Sequence, residues 1–277
     1  MICPHCTSTV TTRRSKTTQL GYRTFFCRDC KRTFNERTGT HFNYLEFPTD
    51  IVLLVVLWRV RFKLSLRDLA EMFLERGFEF THEAVREWEA RFALLVVDKL
   101  QAKRKGQAGR SWHADETYIR VGGVWKYLYR AIDREGNLVD SLLSEHRDMD
   151  AAKRFFAQGA PAALDVAEQA PERVTTDGHD SYPRAIRETL GAEVTHRCNP
   201  YLNNRIEQDH RGVKQRYYPM RGLGTFESAS RFCRAFDEQR HYFRMRPAMW
   251  QRLPPLSDQR REYCARWKAL MGELLAA

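Results

Sequence analysis

The chain has 277 residues, 43% hydrophobic and 12% aromatic, enough for a packed core and against wholesale disorder. Its longest uninterrupted apolar run, Ile51 to Trp58, falls far short of the roughly 20 residues a membrane span needs. The N-terminus MICPHCTSTV has no signal-peptide pattern, so a cytoplasmic protein with no membrane partner is expected. The formal charge of +11 is uneven: residues 1–48 carry eight basic against three acidic side chains, and residues 197–252 carry twelve against five. Basic ends around a near-neutral middle point to a polyanionic partner.

Four of the seven cysteines form two CxxC pairs, Cys3-Pro-His-Cys6 and Cys27-Arg-Asp-Cys30, with twenty residues between them. Each pair turns two thiolates towards one point, and two pairs complete the tetrahedron that Zn²⁺ accepts. Thr9 to Thr12 and Tyr22 to Phe26 read as short strands between them, so residues 1–40 suit a zinc ribbon folded by its metal. A disulfide framework is disfavoured without a secretion signal, and a redox CxxC does not need the second pair. Cys198, Cys233 and Cys264 are isolated and read as ordinary small side chains.

Residues 31–48 look like a linker. Pro48-Thr49-Asp50 opens a helix through Trp58, and Ser65-Leu-Arg-Asp68 fits a capping box for a second. After Gly77, Thr81 caps a third helix striped by Ala84, Val85, Trp88, Phe92 and Leu95. Residues 48–100 thus outline a helix-turn-helix whose last helix presents His82, Arg86 and Arg91 outward for DNA; a small helical bundle gives the same pattern. The basic stretch 101–111 reads as a linker.

Beyond it, Trp112 to Val121 and Val124 to Ile132 read as strands joined at Gly122-Gly123, and Asn137 to Ser144 as a third. A helix over Asp148 to Gln158 follows. Next come a strand at Val174 to Asp177, a helix through Leu190 and a strand at Ala192 to His196. Asn199-Pro200 resembles a cap for a helix through about Tyr217. The order predicts a mixed α/β sheet. Helices over Phe226 to Arg244 and within 258–276 complete the chain, residues 246–277 forming a helical extension.

Asp115 in the first of these strands, Asp177 at the end of the fourth and Glu207 in the helix after the fifth are 62 and 30 positions apart. The first and fourth strands of such a sheet are able to be neighbours, with the helix packed across them. Three carboxylates brought together repel unless they share divalent metal, and Mg²⁺ prefers such oxygen ligands. A pair of ions there would drive phosphoryl transfer on nucleic acid. Asp133, Asp140, Glu116, Asp180 and Asp209 are rival acids.

Trp112-His-Ala-Asp-Glu-Thr-Tyr118 with Gly123-Val-Trp-Lys-Tyr-Leu-Tyr-Arg-Ala-Ile-Asp133 resembles the first catalytic block of bacterial insertion-sequence transposases of the IS-six family. Thr175-Thr-Asp-Gly178 with Tyr182 resembles their second block. Asn203-Asn-Arg-Ile-Glu207, with His210 and Lys214, resembles their third. The resemblance covers residues 112–245 and implies a ribonuclease H-like catalytic domain with an Asp-Asp-Glu triad at Asp115, Asp177 and Glu207. It further implies Mg²⁺- or Mn²⁺-dependent cleavage at element ends and strand transfer into target DNA. The 29 residues between Asp177 and Glu207 are fewer than the family's typical spacing.

Arg211 and Lys214 lie four and seven positions after Glu207 and share its helix face, with Lys214 suited to a DNA phosphate. Arg216, Tyr217, Tyr218 and Arg221 interleave basic and aromatic side chains, a pattern suited to phosphate contact and base stacking. Trp112 and Tyr118 are expected to pack in the core. The expected partners are double-stranded DNA, as terminal repeats and target, and further copies of the chain in a homodimer or larger assembly. A zinc-ribbon regulator without catalysis and a metal-dependent nuclease of the same fold are the competing readings.

Overall fold

The computed structural model describes residues 1–163, 171–198, 203–245 and 252–276. The expected cap at Asn199-Pro200 lies outside them. Two compact units result, one of residues 1–55 with 268–277 and one of residues 56–267. No helix among the described residues is long and apolar enough to cross a membrane.

In the first unit, β1 (Thr11–Thr17), β2 (Arg23–Cys27) and β3 (Thr33–Asn35) form an antiparallel meander. The third strand occupies sequence that reads as linker. It forms because Phe34 is buried and stacks on Phe25, with ring centroids 5.5 Å apart. Around that pair, the core of the sheet holds Cys3, Cys27 and the partly buried Cys30. Helix α1 (Thr49–Arg61) starts where Pro48-Thr49-Asp50 predicts, and its run of Val52, Leu53, Val55, Val56 and Leu57 is fully buried.

In the second unit, α2 (Leu66–Leu74) begins at Ser65 and Asp68, which form the predicted reciprocal capping box. Thr81 caps α3 (His82–Arg104). This helix runs into the stretch read as linker because Leu100 and Arg104 face inward. Arg104 is buried, paired with Glu238 at 2.7 Å and bonded to the Val139 carbonyl.

Strands β4 (Ser111–Val121), β5 (Val124–Asp133) and β6 (Leu138–Ser144) form an antiparallel meander. Gly122 and Gly123, both at positive φ, make the tight turn between the first two. Then come α4 (Met149–Ala163), β7 (Arg173–Thr176), α5 (Ser181–Leu190) and β8 (Thr195–Cys198). The sheet order is β6-β5-β4-β7-β8, with β7 parallel to β4 and β8 parallel to β7. This is the expected ribonuclease H-like sheet. Trp112, Ala114, Tyr129 and Ala131 line one face under α4 and α5. Ile119, Val121 and Leu128 line the other, with α3, α6 (Asn204–Tyr217) and α7 (Phe226–Phe243). Helix α8 (Leu256–Leu275) ends the chain.

An ion network fixes α6. Fully buried Arg130 of β5 donates to Asp237 of α7 at 2.8 and 3.0 Å and to Asp209 of α6 at 2.8 Å. Asp209 also accepts from Arg240 at 2.7 Å and Arg244 at 2.6 Å. Against the upward push of burial, Arg130 and Arg240 hold the Asp209 carboxyl below the usual carboxylate range. Arg240 crosses α6 at Gly212, where a Cβ would lie 2.5 Å from its guanidinium. Arg130→Ala would leave Asp237 buried without its guanidinium partner. Urea denaturation should then report a loss of about 3–5 kcal/mol, the usual cost of breaking a buried pair from one side.

Candidate active site and metal centres

The parallel register that pairs His113 of β4 with Thr175 of β7 carries Asp115 and Asp177 to the same level. Side chains alternate along β4, so Asp115 faces α6 and Glu116 faces α5. Glu207 lies in the first turn of α6, with His210 one turn on. The ligand atoms of Asp115, Glu207 and His210 lie within 4.8 Å of one another, as do those of Asp115, Glu116 and Asp177. Asp115 belongs to both groups. The three acids singled out from the sequence are therefore brought together, each of the other two beside Asp115.

Asp115 is only 4% exposed. Burial, then the hydrogen bond with Glu207 and the charges of Glu116, Glu207 and Asp177, pushes its carboxyl up to about 9. Such acids crowded onto a buried carboxylate call for cations, and carboxylate oxygens with one imidazole suit hard divalent ions. The residues present fit that group.

His210 is buried, with Nδ1 3.8 Å from Asp115 and 3.9 Å from Glu207, and Nε2 has no hydrogen-bond partner among the described residues. Burial, followed by the charges of Arg130 and Lys214, holds its pKa well below the usual value, favouring the neutral imidazole. Glu116 accepts a hydrogen bond from the Tyr182 hydroxyl and pairs with Arg147, whose guanidinium also lies 3.7 Å from Asp177. Sequence reasoning missed Arg147. It sits in the β6–α4 connection with no local periodicity to mark it, and only its place just after the third strand of the sheet hinted at it.

Three of the other rivals are occupied elsewhere, and Asp180 is exposed at the N-cap of α5. Asp133 accepts from the backbone N–H groups of Gly109 and Asn137, Asp140 lies 3.5 Å from Arg104, and Asp209 belongs to the arginine network.

A family model of the DDE domain, of the IS240 transposase type, matches residues 109–245. The transposase for the insertion sequence-like element IS431mec of Staphylococcus aureus is 35% identical over 189 residues, covering 67% of this chain and 82% of its own length. The chain belongs to the IS6-family DDE transposases. The transposase for IS257 in transposon Tn4003, also from Staphylococcus aureus, is 34% identical with the same coverage. Among solved structures, the chain is similar to a simian T-cell lymphotropic virus intasome in complex with the PP2A regulatory subunit B56 gamma. That likeness has 11% identity and a TM-score of 0.38, over 60% of this chain and 56% of that one.

The transposase carries a second cluster in its N-terminal unit, where the Sγ atoms of Cys3, Cys6, Cys27 and Cys30 lie within 4.8 Å of one another. Cys3 and Cys30 are 3.6 Å apart, and Cys6 and Cys27 3.5 Å. Four thiolates around a metal at about 2.3 Å would be spaced by about 3.8 Å, so the cluster fits a tetrahedral centre and not a pair of disulfides. Backbone donation, chiefly from Cys30, draws the Cys27 thiol down to about 6, whereas Cys6, against donation from Ser8, is pushed up to about 12 by burial and the neighbouring thiols.

The basic residues of the transposase divide. Lys214 is half-buried on the Glu207 side of α6, while Arg211 and Arg221 are exposed, the latter in a left-handed turn. Arg86 is exposed and paired with Glu83 at 2.7 Å, and His82 lies 3.2 Å from the same carboxylate. Arg216 departs from the DNA contact expected of it. It is buried and donates to the carbonyls of Arg59 and Val60, satisfying the last turn of α1. Tyr217 is also buried, its hydroxyl bonded to the Arg120 backbone. Trp112 is fully buried, but Tyr118, expected in the core, is 46% exposed.

Proposed function

We propose that this chain cleaves the phosphodiester at the ends of its insertion sequence and joins the freed 3′ hydroxyl to target DNA. The convergence of Asp177 and Glu207 on a buried Asp115 carries the reading. Asp115, Asp177 and Glu207 would hold two Mg²⁺ or Mn²⁺ ions. Bound there, they would lower the proton affinity of the attacking hydroxyl and steady the leaving oxygen. Neutral His210, close to both Asp115 and Glu207, orients those carboxylates. Arg147 takes up the charge of Glu116 and leaves Asp115 to its own partners. Lys214, on the Glu207 side of α6, reaches a DNA phosphate near the cut. The four cysteines hold Zn²⁺. The ribbon (residues 1–40) and the helix-turn-helix (residues 48–100), through His82 and Arg86, read the terminal repeats. Arg211 and Arg221 steady the DNA, and pairing two ends requires at least a dimer.

The test is a joining assay with labelled terminal-repeat DNA, run with and without divalent metal. Joined product only with Mg²⁺ or Mn²⁺ is expected. Cutting without joining would make the chain a nuclease, and binding with no metal-dependent nick would leave a DNA-binding regulator.

A further inference from the structure

On the face of β4 and β5 opposite Asp115, a row of side chains continues outward from Glu116, whose carboxylate clusters with Asp115 and Asp177 at the strand edge. Along β4 that face reads Trp112, Ala114, Glu116, Tyr118 and Arg120, with Tyr129, Tyr127 and Trp125 beside the last three. Exposure rises from zero at Trp112 and Ala114 through 8% at Glu116 to 46% at Tyr118, and Trp125 is 53% exposed. The Tyr118 ring meets Trp125 edge-on at 6.4 Å and Tyr127 at 5.4 Å. Three aromatic rings in contact, partly open to water, are costly to leave uncovered.

The ladder stands on rigid backbone. Gly122 donates to the Leu223 carbonyl at 2.8 Å, Leu223 donates to Arg120 at 3.0 Å, and the Tyr217 hydroxyl is bonded to the Arg120 backbone. The hairpin tip is thus fastened to the segment after α6. At the inner end, Glu116 holds Arg147, which also lies by Asp177. At the outer end is exposed Arg120. Cations flank the rings at both ends, and the inner one adjoins the acids.

We propose that Tyr118, Trp125 and Tyr127 form a stacking surface for unpaired bases of the DNA strand beside the scissile phosphate. Its phosphates would run between Arg147 and Arg120. Rings accept any base, while the basic side chains select a polyanion, and together they match single-stranded nucleic acid. The proposal rests on the joining reading, since it takes the acid cluster to be where DNA is cut.

The test uses the full-length chain in Ca²⁺ or EDTA, to prevent turnover. Two duplexes are compared, one flush and one ending in three unpaired thymidines with 2-aminopurine at the first unpaired position. Wild type is expected to bind the tailed duplex about tenfold tighter, the scale of one stacked base, and to quench the 2-aminopurine. Replacing the tail bases by abasic sites should erase the preference with no change to the protein. Trp125→Ala with Tyr118→Ala should erase it from the protein side, and Trp125→Phe should keep most of it. A preference that survives the abasic tail overturns the proposal. So does a double variant with wild-type preference and quenching, or one that changes only the sedimentation mass, which would make the ladder a contact for a second copy. The joining assay on the same DNA separates the two readings. A tail preference without joining sinks the transfer reading alone, and joining without the preference sinks the stacking surface alone.

Discussion

Asp115→Asn will lower metal-dependent strand joining by at least about a thousandfold while leaving terminal-repeat binding nearly unchanged. Loss of a shared ligand removes several kcal/mol of charge stabilisation from the reacting phosphate, and each 1.4 kcal/mol is about tenfold in rate. The same change should raise the stability of the metal-free protein. An ordinary aspartate titrates near 4. In the fold, burial first and then the neighbouring acids push Asp115 up to about 9. Between those values the folded chain holds more protons than the unfolded chain, so stability falls as pH rises from about 4 to about 9. Asparagine carries no such charge, so the variant should melt above wild type at pH 9 in EDTA and show a flatter pH slope. Saturating Mg²⁺ should reverse the order, because only the carboxylate gains from the ion. A variant that joins DNA at the wild-type rate would remove Asp115 from the chemistry.

Stripping metal from the four cysteines should melt the three-stranded sheet while residues 56–267 stay folded. The packed interior there amounts to Cys3, Cys27 and Phe34 with Phe25 and Cys30, too little for independent stability. A structural zinc contributes on the order of 10 kcal/mol to such a unit. With a strong chelator, proteolysis should cut within residues 1–40 and spare the catalytic sheet, and Cys27→Ser should behave like the stripped wild type. Undiminished protection of β1 and β2 without metal would show that the sheet stands on its own packing.

Much of this arrangement was legible in the sequence where the signal is local. Ser65 and Asp68 announce their capping box three residues apart, and Gly122-Gly123 announces its hairpin. Strand order allowed β4 and β7 to be neighbours, but it was the resemblance to a transposase family that singled out Asp115 and Asp177 from their rivals. What stayed hidden depends on partners far along the chain. Arg216 looked like a DNA contact because its neighbours are basic and aromatic, but the carbonyls that claim it are those of Arg59 and Val60. Asp209 sits two positions from Glu207, yet its fate is decided by Arg130, Arg240 and Arg244. Tyr118 failed for a related reason. Alternation gives the face of the sheet a side chain occupies, not how far the covering helices reach.

The crossing of Arg240 over Gly212 ties two distant positions into a single inherited choice. A methyl group at 212 has room only if the guanidinium shifts, and that same guanidinium holds Asp209 at 2.7 Å. A larger residue at 212 therefore demands a concession at 240, and the helix presenting Glu207 tolerates less variation at that crossing than its solvent-facing side would suggest.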